Sequence, residues 1–211
     1  MFFEKRGETR YISHLDMSRF MARLVRRAEL PILYTEGFNP HPYIHFAAPL
    51  SLGFESAYET VDFKVDDEVS CEAVFKAAAR AMPADMRVFR VSEAVHKSAE
   101  LGWARFEVRL SGGTDLAERV RAVLAESAIL VEKATKKGGR KTLDIRPLIR
   151  DDEVTDTPEG GILLAVTLAA TPEGSVNPTL LTDYIAGQNE GIEVESVVRV
   201  MLYLADGQEF V

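Results

Sequence analysis

The sequence predicts an α+β chain of two tandem ferredoxin-like (βαββαβ) domains, spanning residues 1–98 and 99–211. Three observations carry that prediction. Apolar residues recur at i, i+3, i+4, i+7 in two segments of each half, the spacing of one buried helical face. Strand-like runs surround those segments. The order strand, helix, strand, strand, helix, strand is legible twice, with the break at residues 96–102. The repeat is one of element order, without a shared motif.

Residues 1–5 read as a strand and Gly7 as a turn. Ser13 has the chemistry of a helix N-cap, with Asp16 three residues on completing an acidic capping box. The helix that follows buries Met17, Phe20, Met21, Leu24, Val25 and Ala28, leaving Arg19, Arg23, Arg26 and Arg27 largely outside the stripe. Ile44, Phe46, Ala48 and Leu50 alternate as in a strand, and residues 60–65 give another. A helix over 70–82 buries Cys71, Val74, Phe75, Ala78 and Met82; residues 86–95 close the first domain as a strand.

In the second half, 103–110 is a strand and 114–127 a helix burying Leu116, Val120, Val123 and Leu124. A short strand at 129–134 leads into the basic turn Lys136-Lys137-Gly138-Gly139-Arg140-Lys141. Strands follow at 142–149 and 161–170. Asn177-Pro178 is a cap followed by proline at the first helical position, Gly187 ends that helix, and 193–205 is the closing strand. Its inner face is expected at Val194, Ser196, Val198, Val200, Leu202 and Leu204.

Composition narrows the function. Hydrophobic content of 46% with 27% charged residues belongs to a folded, water-soluble chain. No apolar run approaches the roughly 20 residues that cross a bilayer, and the first residues lack a signal peptide's apolar block. A cytoplasmic location away from membranes is expected. A single cysteine, Cys71, excludes internal disulfides and a cluster needing several thiolates; its helical spacing reads as a small buried apolar residue. A net charge of −8 argues against indiscriminate coating of nucleic acid. Residues 133–150 nonetheless hold seven basic residues against one acid, Asp144.

Three clusters are candidates for chemistry. The first is His14 beside Ser13 and Asp16. A near-neutral imidazole suits general acid–base work on a 2′-hydroxyl, and the helix dipole favours its neutral form; equally, His14 merely flanks a cap made by Ser13 and Asp16. The second is Gly37-Phe38-Asn39-Pro40-His41-Pro42 with His45. Glycine and asparagine tolerate positive φ and proline fixes φ, so this is a stiff, shaped loop. His41 and His45 with His14 and Asp16 have metal-ligand chemistry, but Pro42 interrupts the pair. No metal and no cofactor is expected. Tyr11, Tyr34, Phe38 and Tyr43 have faces on which bases stack, or they simply pack. The third is Lys136, Lys137, Arg140 and Lys141 with Arg146 nearby, a phosphate-type contact that positions nucleic acid without reading sequence, or a solvated charge run. Arg10 joins the basic flank of the first helix. Gly112-Gly113-Thr114 before a helix is a weak anion-site pattern.

Ser13-His14-Leu15-Asp16, Arg26-Arg27, the Gly37–Pro42 motif and Pro49-Leu50-Ser51-Leu52-Gly53, with Asp144-Ile145-Arg146 later, resemble the bacterial radical-SAM-linked protein family. The match covers most of the chain and is densest over residues 6–62. The resemblance implies a companion fused to, or encoded beside, a radical SAM protein, often among RNA-metabolism genes, and supplies no catalytic residues. A more distant, architectural likeness is to the CRISPR repeat-processing endoribonucleases, some of which cut RNA with a histidine near the first helix. That is an analogy of fold.

These readings give three functions: an RNA-binding module presenting tRNA or rRNA to a radical SAM partner for RNA modification, a metal-independent endoribonuclease using His14, and a protein-interaction scaffold. The first is preferred. It expects the loop carrying His41 to fold over the start of the first helix, so that His14 and His41 share one hollow.

Overall fold

A computed structural model describes residues 1–66, 68–134, 138–171 and 174–211. Contacts divide the chain into a first unit, Met1–Leu101 with Glu209–Val211, and a second, Gly102–Gln208. Both are mixed α+β.

In the first unit the order is β1 (Phe2–Lys5), a 3-10 turn (Gly7–Tyr11), α1 (His14–Arg27), β2 (Ile44–Phe46), β3 (Glu55–Phe63), α2 (Cys71–Ala81) and β4 (Val88–Arg90). β1 lies between β4 and β3, antiparallel to both, and β2 pairs antiparallel with β3. The helices cover one face, and Phe3, Met17, Met21, Leu24, Phe46, Val61, Ala78 and Met86 form its core. α1 starts where the sequence expects. The Ser13 hydroxyl accepts from the Asp16 amide at 3.2 Å and satisfies one of the orphan donors of the first turn.

The second unit runs β5 (Leu101–Ser111), α3 (Leu116–Leu124), β6 (Leu130–Ala134), β7 (Arg140–Asp144), β8 (Ile149–Asp156), β9 (Ile162–Ala169), α4 (Pro178–Gln188) and β10 (Glu193–Leu204). β10, β5, β9 and β8 are neighbours in that order, while β6 and β7 form a separate hairpin. Ile162, Leu164, Val166 and Leu168 on β9 are fully buried at every second position.

Several expectations need correction. The strand at 44–50 stops at Phe46, because Pro49 has no amide for a ladder and Gly53 turns the chain at φ +86°. The strand at 60–65 begins at Glu55 instead; Ser56, Glu59 and Thr60 are buried polar residues that hide the pattern. The strand at 86–95 is only Val88–Arg90. No strand spans 142–149: the Asp144 carboxylate accepts from the amides of Ile129 (2.9 Å) and Arg146 (3.0 Å), and a 3-10 turn at Arg146–Leu148 separates β7 from β8. β8 itself was unforeseen, since its acids look like a loop; a bulge with Asp151 at φ +50° carries them. α4 continues past Gly187 to Gln188. The closing strand buries Val197 and Arg199 before switching to Leu202 and Leu204, so the expected single face is not kept. Cys71 is half-buried at the first position of α2, where the sequence predicts burial.

Candidate functional site

The Ser13-to-Asp16 motif builds a cap. Ser13 Oγ donates to Asp16 Oδ2 at 2.8 Å, and Arg19 Nη1 donates to Asp16 Oδ1 at 3.1 Å. The Ser13 hydroxyl, followed by the Arg19 guanidinium, holds the Asp16 carboxyl below the usual carboxylate range. His14 is exposed at the next position. Its carbonyl accepts from the Ser18 hydroxyl at 3.0 Å, and its ring stands edge-on to Phe46 with centroids 5.3 Å apart.

His14 borders a hollow lined by Lys5, Ile12, Met17, Phe46, Pro49, Leu50 and Glu59. At about 10 Å³ it has room for roughly one water and none for a nucleotide. Lys5 is buried there, and its ammonium donates to the carbonyls of Arg10 (3.4 Å) and Ile12 (3.1 Å). The Gly53 amide also donates to the Arg10 carbonyl, at 2.9 Å. The Pro49–Gly53 motif and the approach to α1 are thus tied together at one main-chain oxygen. Arg10 itself lies over the Tyr11 ring at 4.8 Å and 3.9 Å from Glu55. A charged residue at a strand's end (Lys5) or within a strand (Glu59) looks exposed in sequence, so both escaped notice.

The glycine-to-proline motif builds something separate, a narrow hairpin over residues 34–43. Tyr34 bridges to Pro42, and the Tyr43 amide donates to the Leu33 carbonyl at 3.1 Å. The Thr35 amide donates to the His41 carbonyl (2.9 Å), and the Thr35 hydroxyl accepts the His41 amide (3.1 Å). His41 Nδ1 lies 3.1 Å from that hydroxyl and 3.3 Å from the Asn39 carbonyl. Gly37 at φ +118° makes the turn. Phe38 at the tip is completely exposed, at 112%.

The hairpin joins the far end of α1. Arg26 Nε donates to the Tyr34 hydroxyl at 3.2 Å, with the guanidinium 5.9 Å from that ring. Lys64 lies over Tyr43 at 4.8 Å. His14 and Arg26 are twelve residues apart on one helix, about 18 Å at 1.5 Å per residue. The expectation that His14 and His41 share a hollow is therefore corrected: the hollow at His14 does not include His41, whose imidazole is occupied inside the hairpin. His45 is engaged elsewhere again, with Nε2 3.0 Å from the Ser98 hydroxyl. Among the described residues no three His, Cys, Asp or Glu side chains gather into a metal-ligand group.

In the second unit the basic turn joins β6 to β7. Lys136 and Lys137 lie outside the described residues. Arg140 pairs with Glu132 at 2.9 Å, and Lys141 stands opposite Lys133 in the register. Arg146 is held in place, with Nη1 3.4 Å from the Ile149 carbonyl and 3.7 Å from Asp152. Gly112 is explained by close approach of the backbone: a Cβ there would lie 1.8 Å from the Gly191 carbonyl oxygen.

Comparison with solved structures finds a chain of a Cbf5–Nop10–Gar1 complex, with TM-score 0.52 and 11% identity over 94% of this chain. A chain of an archaeal box H/ACA sRNP Nop10–Cbf5 complex matches with TM-score 0.43 and 12% identity over 86%. This chain spans 47% and 42% of those two, and at such identity the first likeness concerns fold alone. No curated protein matches by sequence. A family model described as an uncharacterized protein conserved in bacteria, DUF2344, matches residues 1–178. The chain belongs to that family.

Proposed function

We propose that the chain is a pair of ferredoxin-like (βαββαβ) units acting as an RNA-binding module that presents tRNA or rRNA to a radical SAM partner. The strand orders β4-β1-β3 with β2 beyond, and β10-β5-β9-β8, support the fold reading. The radical SAM partner rests on the motif resemblance.

One observation carries the RNA reading. On a chain of net charge −8, α1 presents four exposed arginines (Arg19, Arg23, Arg26, Arg27) against one acid and ends beside a hairpin of exposed aromatics. Aromatic faces backed by cations suit bases and phosphates together. Ser13, Asp16 and Gly37 shape the helix start and the hairpin; Phe38, Asn39 and His41 lie on the hairpin, Arg10 and His45 are further contacts apart from it, and in the second unit Lys136, Lys137, Arg140 and Lys141 add a phosphate contact of their own. Binding of transcribed tRNA at rising salt tests the module. Replacing Lys136, Lys137, Arg140 and Lys141 with alanine should flatten the salt slope by about three. An unchanged slope removes the electrostatic role of the turn, and no retention of RNA at low salt removes the module.

A further inference from the structure

We infer that the first unit takes unpaired RNA, with a base stacked on Phe38 and phosphates on Arg23 and Arg26; this rests on the RNA-binding reading and adds the state of the strand. Phe38 is the reason. The hairpin is braced at its neck by three polar contacts between Thr35 and His41, and Pro40 and Pro42 stiffen it. All of this bracing holds a phenylalanine out in water. Such a side chain gains nothing until a partner covers it, and the braced hairpin leaves less backbone ordering to be met on binding.

Charge names the partner. Tyr34 and Tyr43, at the base of the same hairpin, each have a cation at their face, Arg26 and Lys64. Arg23 and Arg26 stand three residues apart, on adjoining positions of the solvent side of α1, while Arg27 is turned to α2, where it donates to the Ala81 carbonyl. An exposed aromatic tip on a hairpin whose base meets the Arg26 guanidinium complements a base joined to phosphates. A duplex hides its base faces within its own stack and is recognised by shape, so a protruding ring profits only from a base outside that stack. Arginine stays charged and binds phosphate with two donors.

Fluorescence anisotropy of the full chain tests this, with a labelled single strand of about 12 nucleotides and the blunt duplex of the same sequence. The single strand should bind at least about tenfold tighter. Phe38→Leu should weaken single-strand binding by about tenfold without changing the salt slope, and Phe38→Trp should retain it, because one stacked base is worth that much. Arg23→Gln with Arg26→Gln should lower the slope by about 1.4, two phosphates' worth on a single strand. Equal binding of duplex and single strand, or full binding by Phe38→Leu, overturns this inference and leaves the RNA module standing. Failure of both forms to bind overturns both.

Discussion

Thr35 and His41 close the neck of the 34–43 hairpin from both sides, the Thr35 amide donating to the His41 carbonyl at 2.9 Å and the Thr35 hydroxyl accepting the His41 amide at 3.1 Å. Removing that acceptor in Thr35→Val should loosen the tip by about 1 kcal/mol. Amide exchange at Gly37, Phe38, Asn39 and His41 should quicken while the global melting temperature stays nearly constant, since the hairpin is exposed. Unchanged exchange at the His41 amide would show that the hydroxyl does not brace the loop.

Two glycines should respond differently to alanine. Gly37 has φ +118° and open space around a would-be Cβ, so Gly37→Ala carries only a backbone penalty of about 1–2 kcal/mol. Gly112 has φ +103° and the Gly191 carbonyl 1.8 Å from the same point, so Gly112→Ala adds a backbone clash and should cost about 3 kcal/mol or more. Urea unfolding of the two variants measures the contrast. Equal midpoints would contradict it.

The cap of α1 should be visible both in stability and in titration. Ser13→Ala should lower stability by about 1 kcal/mol. Asp16 has its folded pKa depressed, first by the Ser13 hydroxyl and then by Arg19. Its stabilising contribution is therefore complete above the ordinary carboxylate value of about 3.9 and is lost as pH falls through the lowered folded value. In an NMR titration, Ser13→Ala should move the Asp16 midpoint upward. A midpoint already ordinary in the unaltered chain would refute the contact.

Tyr58 ties the chain's last residues to the first unit. Its hydroxyl donates to the Phe210 carbonyl and accepts from Arg90 Nη2, both at 3.1 Å, with its ring 5.4 Å from Phe2. Burial raises its pKa. Tyr58→Phe keeps the packing and loses both bonds, so stability should fall by about 1–2 kcal/mol. A urea midpoint equal to that of the unaltered chain would show the bonds to be replaced by water.

Local chemistry was legible in the sequence where it was self-contained. Ser13 and Asn177 announce helix starts because their side chains act within a few residues. Met17, Met21 and Leu24 announce a buried face because helical spacing does not depend on the partner. What depends on distant neighbours was hidden. β8 is acidic on a paired strand, and Lys5 is buried because the Arg10 and Ile12 carbonyls surround its ammonium. The site was read in part: the stiff loop is a braced hairpin, but its place beside Arg26, not His14, follows from the length of α1, which no motif encodes.

Ultraviolet cross-linking of the protein to the RNA that accompanies it in its native cell, followed by mass spectrometry of the joined peptides, tests the central claim most directly. Nucleotide adducts on the peptides holding Phe38 and on those spanning residues 19–27 are the expected result. Abundant adducts that leave both segments unmodified, or none at all, would contradict it.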